Sequence, residues 1–340
     1  MSKILSTKDE LIPHPISKVS FGSIYCGAGF PILGALWAGM NARWGLEPRP
    51  YFNIKTFRSN FQSIMYSSEL EAFHQYPVDV IWGSPSCGEI SSSSRNSKNA
   101  KTMAMKEFQD FEYVRFILEI IARKPKVFIL ENIPSVKNFV QFNSTPAGFI
   151  LKHQISKEEV PLYDYYIEEH RITPTEVGIP QVRDRLFTIG SRFPFRFMLE
   201  PPEKDYRAEL SIGPIFEELD DLRRQGVTLH NDHFPKHSEE KIEKMSRIRP
   251  GEGLYGGINN KRLDSTKCGP VIMSSATRYI HPWEHRLLTG RESACLMGLP
   301  LDFLFIGSEN KVLDQIGKGI VPQVGEYILK QVKKYLEKES

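Results

Sequence analysis

Val19-Ser-Phe-Gly-Ser-Ile-Tyr25-Cys-Gly27-Ala-Gly29 reads as a strand running into a glycine turn, and Pro31 to Met40 then carries a helical pattern. Glycines at alternate positions permit a tight turn and let a ligand approach the main chain closely. A further short strand, Ala42 to Leu46, ends on Glu47, 20 positions after Gly27. Strand, Gly-x-Gly, helix and then an acid at that spacing is the layout that holds an adenosine-type cofactor, with the carboxylate accepting from ribose hydroxyls. The third glycine of the dinucleotide pattern is missing. A tight turn with a solvated Glu47 is the plainer alternative.

Outward from this stretch the alternation continues. Val78 to Trp82 is a strand broken by Gly83-Ser84-Pro85, and Ser91 to Lys101 is polar, serine-rich and aperiodic, as in a mobile loop. Glu107 to Arg123 repeats Phe108, Phe111, Val114, Leu118 and Ile121 at helical spacing. Lys126 to Leu130 is then a buried strand delivering Glu131. Such alternation predicts an α/β fold with a mostly parallel sheet and ligands at the carboxyl ends of its strands. Gly27, Glu47, Cys87 and Glu131 all lie at or just beyond such ends. From about Arg192 to Thr277 prolines, glycines and charge pairs interrupt any long period, and patterning resumes near His281 to end in a helix, Gln323 to Leu336. The expected division is a catalytic domain of residues 1–195 and 278–340 with a smaller domain, 196–277, inserted.

The 340 residues are 40% hydrophobic and 25% charged, which is ordinary for a globular chain. No apolar run approaches the roughly 20 residues of a membrane span, and Met1 to Val19 lacks a signal-peptide core, so a cytoplasmic protein is expected. Cys26, Cys87, Cys268 and Cys295 form no CxxC pair, which argues against a disulfide framework or zinc site. His230, His233 and His237 lie in a polar stretch with no cysteine nearby, and no metal is predicted. The net charge of +3 permits a nucleic-acid partner without demanding one.

Cys87 sits in Gly83-Ser-Pro-Ser-Cys87-Gly88, where an exposed thiolate near main-chain amides suits a nucleophile. A free cysteine is more often an inert small hydrophobe. Glu131-Asn132 shifts the balance, because neighbouring strand ends bring a thiol and a carboxylic acid into one pocket. In Gly178-Ile-Pro-Gln181-Val-Arg183-Asp-Arg185, before the strand Leu186 to Ile189, alternation sets Gln181, Arg183 and Arg185 on one side. Two guanidinium groups there suit carbonyl or phosphate recognition and favour a nearby thiolate, while a solvated edge strand is the simpler alternative.

In their order these motifs resemble those of the cytosine-5 DNA methyltransferases. Tyr25 to Gly29 resembles the cofactor turn, Glu47 the ribose acid, Ser84-Pro-Ser-Cys87 the nucleophile segment and Glu131-Asn-Ile133 the Glu-Asn-Val motif. Gln181 to Arg185, Arg286-Leu-Leu-Thr289-Gly-Arg291-Glu292 continuing to Met297-Gly-Leu-Pro300, and Gly317-Lys-Gly-Ile-Val-Pro322 complete the set. The resemblance implies a Rossmann-like S-adenosylmethionine-dependent methyltransferase fold with an inserted target-recognition domain. It implies methyl transfer to carbon 5 of a cytosine in double-stranded DNA, through a covalent Cys87 adduct with a flipped base. In that chemistry Glu131, partly buried and carrying a proton, meets N3 and the exocyclic amine. Arg185 holds O2, and Arg183 stabilises the thiolate and its loop. Cofactor contacts fall on Tyr25, Gly27, Gly29, Glu47, Ser84, Pro85, Lys318 and Ile320. Substrate contacts fall on Ser91 and Arg95 of a lid, on Asn132 and Gln181, and on Arg247, Arg249, Lys261 and Arg262 of the insert.

Ser23 replaces the Asp that opens the family's cofactor motif, Ser86-Cys87-Gly88 replaces Pro-Cys-Gln, and Lys318 replaces the Asn of the last motif. The acid that meets the adenine amine has no clear counterpart, Glu69 being a guess. A monomer of bacterial, archaeal or phage origin with a companion restriction endonuclease fits this reading. Its rivals are a transfer-RNA methyltransferase of the same family, a binding protein that keeps the fold but has lost efficient catalysis, and, more distantly, a nicotinamide-dependent oxidoreductase.

Overall fold

Phe21, Ile24, Val80, Ile81, Trp82 and Val127 to Leu130 are all buried. Apolar runs covered on both faces form the centre of a parallel sheet. The computed structural model describes residues 7, 16–49, 54–86, 112–154, 157–253, 260–273 and 278–339. Strands β1 (Ser20–Ile24), β2 (Asn41–Leu46), β3 (Met65–Ser67), β4 (Val80–Gly83) and β5 (Val127–Asn132) come first in the chain. They are followed by β6 (Val140–Thr145), β7 (Gly148–His153), β8 (Glu159–Leu162), β9 (Tyr165–Ile172) and β10 (Arg185–Arg192). The main sheet has 7 strands in the order β3-β2-β1-β4-β5-β10-β9, and β6-β7-β8 make a separate antiparallel sheet.

β1 to β5 pair in parallel, whereas β10 runs antiparallel to both β5 and β9. That reversal decides the site. The first residues of β10, not its last, stand at the carboxyl ends of β4 and β5, with Phe187 opposite Glu131 and Leu186 opposite Asn132.

Helix α1 (Phe30–Trp37) follows the glycine turn, α2 (Ile54–Asn60) follows β2, and α3 (Glu112–Arg123) precedes β5. Beyond the sheet come α4 (Gly213–Arg224), α5 (Glu239–Ser246), β11 (Lys261–Arg262), β12 (Tyr279–Ile280), α6 (Gly290–Leu296), α7 (Glu309–Gly317) and α8 (Pro322–Glu339). One apolar core lies between the sheet and α1 and α8, including Phe21, Leu33, Trp82 and Ile328; the other lies against α3, including Ile24, Phe116, Ile117 and Phe128. A Cβ on Gly34 of α1 would stand 2.9 Å from the Pro322 carbonyl oxygen, so glycine is what lets α1 and α8 approach. No described helix is long and apolar enough to cross a membrane.

The strands expected at Val19, Ala42, Val78, Lys126 and Leu186 are all present, with boundaries moved by a few residues. The sequence reading did not anticipate β6 to β9. Their residues mix buried, half-buried and exposed positions without a long apolar run, and β9 carries Glu168, Glu169, His170 and Arg171 along the edge of the sheet. Residues 196–277 carry α4, α5 and β11. This segment meets the flanking chain where Lys261 and Arg262 pair with Tyr279 and Ile280, and where Gln181 bridges Gly269.

Candidate active site

Tyr25 (φ 56°), Gly27 (φ 60°) and Gly29 (φ 98°) all take the left-handed conformation, which turns the chain sharply between β1 and α1. A Cβ on Gly29 would lie 2.3 Å from the Phe61 ring, so a side chain is excluded by space as well as by backbone angle. The Cys26 N–H donates to the Leu46 carbonyl at 3.0 Å, and this ties the turn to the end of β2. Glu47, at that end, is 1% exposed, and its Oε2 accepts from the Gly27 N–H at 2.7 Å. The structure thus joins the turn and the acid that sequence spacing paired.

Arg49 was not singled out by sequence reasoning, although a cation two residues beyond a candidate ligand acid was a usable signal. Its Nε lies 2.6 Å from Glu47 Oε1 and its Nη2 2.6 Å from Glu47 Oε2. The same side chain reaches the Tyr25 carbonyl at 3.1 Å and the Ser84 carbonyl at 3.4 Å. Burial, with Glu47 adding to it, pushes the Cys26 thiol well above its ordinary range and keeps it neutral. Burial, then Glu112, likewise pushes the Tyr25 phenol up.

The next strand end presents Ser84 to Ser86. Ser84 Oγ accepts from the Trp82 indole at 2.9 Å, the Pro85 carbonyl accepts from Asn132 Nδ2 at 3.2 Å, and the Ser86 N–H donates to Glu112 Oε2 at 2.6 Å. Cys87, Ser91, Arg95 and the rest of the serine-rich stretch lie outside the described residues. Gly83 and Leu130 are in register, so Ser84 to Ser86 and Glu131 leave adjacent parallel strands side by side. Glu131 is 7% exposed, and Arg185 Nε stands 3.1 Å from its Oε1.

Of the three polar residues expected on one side of the extended segment, only Arg185 meets Glu131. Gln181 is fully buried and donates from Nε2 to the Leu296 carbonyl at 3.0 Å. Arg183 places Nη1 on the Ile272 carbonyl at 2.9 Å and Nη2 on the Gly317 and Gly319 carbonyls at 3.0 and 2.8 Å. A planar guanidinium fork suits this task, drawing three chain segments together. Lys318 caps the end of α7, and Ile320 is buried. A Cβ on Gly319 would fall 1.9 Å from the Phe30 ring, so the 317–320 turn lies flat against the start of α1.

Within residues 196–277, Arg247 and Arg249 are exposed, Arg247 pairing with Glu243, and Lys261 is half-buried. Arg262 requires a correction. It is buried, and its guanidinium donates to the carbonyls of Met245, Ile248, His281 and Glu284 at 2.7–2.8 Å. Its donors are spent on these main-chain oxygens and on His285 Nδ1 at 3.1 Å, so it does not face a groove. Glu69, guessed for the adenine amine, is exposed two residues past β3. Sequence reasoning also left without a role a closed ionic centre around Glu292, which is fully buried. Arg286 grips both carboxylate oxygens at 2.9 and 2.7 Å, and Arg223 Nη2 adds a contact at 2.8 Å.

The profile of the family described as C-5 cytosine-specific DNA methylase matches residues 19–334. Among curated relatives, type II methyltransferase M1.HphI of Haemophilus parahaemolyticus is 24% identical over 332 residues, covering 89% of this chain and 84% of the relative. Type II methyltransferase M.NgoFVII of Neisseria gonorrhoeae is 25% identical over 324 residues, covering 88% and 82%. A solved structure described as a DNA modification methyltransferase encoded within an E. coli prophage superposes with a TM-score of 0.66 at 20% identity, covering 94% of this chain and 100% of that one. Spodoptera frugiperda DNMT2 superposes with a TM-score of 0.57 at 13% identity, covering 92% and 99%. These two likenesses show a shared fold.

Proposed function

The chain belongs to the C-5 cytosine-specific DNA methylases, and on that premise we propose that it methylates carbon 5 of a cytosine in double-stranded DNA through a covalent Cys87 adduct with the flipped base. The observation that carries this reading is the Glu131–Arg185 pair, set at the carboxyl end of β5 beside the segment that leads into Cys87. Carbon 5 of cytosine is a weak nucleophile. Attack of the Cys87 thiolate on carbon 6 makes it an enamine carbon, while Glu131 meets N3 and the exocyclic amine and Arg185 meets O2. Bringing the base out of the duplex costs on the order of a few kcal/mol.

The donor set at the neighbouring strand ends fits S-adenosylmethionine. The left-handed turn presents main chain without side chains at Gly27 and Gly29, and Glu47 is a buried carboxylate of the kind a ribose diol requires. Tyr25, Gly27, Gly29, Glu47, Ser84, Pro85, Lys318 and Ile320 would hold it. Once bound, that cofactor supplies an electrophilic methyl group on a sulfonium. Arg183, with its guanidinium on three carbonyls, would act by holding residues 181–185 against the 317–319 turn.

Sequence reading belongs in this proposal to residues 196–277, with Arg247, Arg249 and Lys261 as contacts. The type II relatives support a companion restriction endonuclease. Cys87→Ser should reduce transfer of a tritiated methyl group to duplex DNA to background, with DNA binding kept within about a few-fold. Retention of most activity would remove Cys87 from the mechanism. Transfer RNA in place of DNA in the same assay tests the substrate class.

A further inference from the structure

Glu47 is the acid the ribose needs, yet its acceptor capacity is already used within the chain. Oε2 accepts from the Gly27 N–H at 2.7 Å and from Arg49 Nη2 at 2.6 Å, while Oε1 accepts from Arg49 Nε at 2.6 Å and from the Arg49 N–H at 3.0 Å. A carboxylate offers about four lone-pair sites. A vicinal diol therefore finds no place on Glu47 until two donors leave. The Gly27 and Arg49 N–H groups are fixed by the turn and the strand end. The guanidinium, on three methylenes, is the pair of donors that can move.

A second set of acceptors stands next to it. Arg49 Nη1 already reaches the Ser84 carbonyl at 3.4 Å and lies 3.7 Å from Glu112 Oε2. That same Glu112 oxygen accepts from the Ser86 N–H at 2.6 Å, one residue before Cys87. Arg49 is 10% exposed in its side chain and Glu47 fully buried, so their contact is shielded from water, where a charge-assisted bond is strongest.

We propose that Arg49 is a latch displaced by the cofactor. Its guanidinium occupies the Glu47 oxygens where ribose hydroxyls would bind, and cofactor entry shifts it onto Glu112 and the Ser84 carbonyl. The device rests on the S-adenosylmethionine reading above and adds to it a link between cofactor loading and the nucleophile segment. Arg49 is a positioning residue in this scheme. It lowers cofactor affinity in exchange for reporting occupancy to Ser86.

Calorimetry tests it, with S-adenosylhomocysteine and its 2′,3′-dideoxy analogue as ligands and with wild type, Arg49→Met and Arg49→Lys, each checked by thermal melting. Arg49→Met should bind S-adenosylhomocysteine on the order of tenfold tighter than wild type, because the hydroxyls no longer compete with charge-assisted bonds. Affinity for the dideoxy analogue should not change, since it has nothing to place on Glu47. Arg49→Lys keeps the charge but not the two-pronged grip, and should gain less in the same direction; it also serves if the Met variant does not fold. Equal or weaker binding of S-adenosylhomocysteine by a folded variant overturns the latch and leaves the cofactor reading standing. Absence of binding to folded wild type overturns both.

Discussion

The carboxylates of Glu292 and Glu131 each face arginine, but they differ in how much of each is already taken. Glu292 accepts from both Arg286 nitrogens, from Arg223 and from the Thr289 N–H at 2.8 Å, and Arg223 is itself gripped by Asp232. His281 Nε2 stands a further 3.6 Å from Oε1, and the carboxylate is fully buried. Among the described residues Glu131 meets one nitrogen, Arg185 Nε, at the carboxyl end of β5. The same pair of residue types closes a structure in one place and offers a receptive edge in the other. Surplus hydrogen-bonding capacity, rather than charge, separates the two.

The sharpest way to break this contrast is Glu131→Gln. Methyl-transfer kinetics should show kcat lower by about 10²–10⁴-fold, the usual worth of a positioned acid or base, with the melting temperature little changed. Glu292→Gln should do the reverse. It leaves two arginines facing one another in a buried site, and urea unfolding should show a loss of about 3–5 kcal/mol. Activity per folded molecule should be retained. Equal melting losses for the two variants would erase the distinction.

Acid should act on the Glu292 centre with a defined sign. Burial raises the Glu292 carboxyl, but the hydrogen bonds and charge of Arg286, followed by His281, bring it below its ordinary value overall. A carboxyl depressed by folding stabilises fully above its unfolded value of about 4.3 and loses that contribution as pH falls through the folded value. His281 is pushed down by burial. Below about pH 6.5 the unfolded chain takes up a proton there that the folded chain refuses, so stability starts to fall earlier. The melting temperature of Glu292→Gln followed against pH should therefore fall less steeply on the acid side than that of the wild type.

The smallest effect belongs to a surface pair. Arg247→Ala should change unfolding free energy by less than about 0.5 kcal/mol, because exposed ion pairs are screened. If Arg247 touches a phosphate, the slope of log affinity for DNA against log salt should shallow by about 1. An unchanged slope would remove Arg247 from the proposed contacts.

The strand ends were legible because parallel strands covered on both faces leave unbroken apolar runs, and the polar residue that stops each run marks the ligand side. Gly27, Glu47 and Glu131 were read in this way. Arg183 was read as steadying the thiolate and its loop, and Arg262 as facing substrate, because a sequence shows a cation but not the carbonyl oxygens that will surround it. Those oxygens come from Ile272, Gly317 and Gly319 in one case, and from Met245, Ile248, His281 and Glu284 in the other. Strand β9 escaped because Glu168 to Arg171, at a sheet edge, look like a solvated loop. The Glu292 centre joins Arg286 and Glu292 of one motif to Arg223 and Asp232 of a distant segment, and no spacing rule links the two.

The Phe30 ring rests on Gly319, and α1 lies against α8 through Gly34. The glycine turn after β1 is therefore propped by chain made long after it. A polypeptide cut ahead of Gly319 would carry every residue of that turn and still lack the wall behind it.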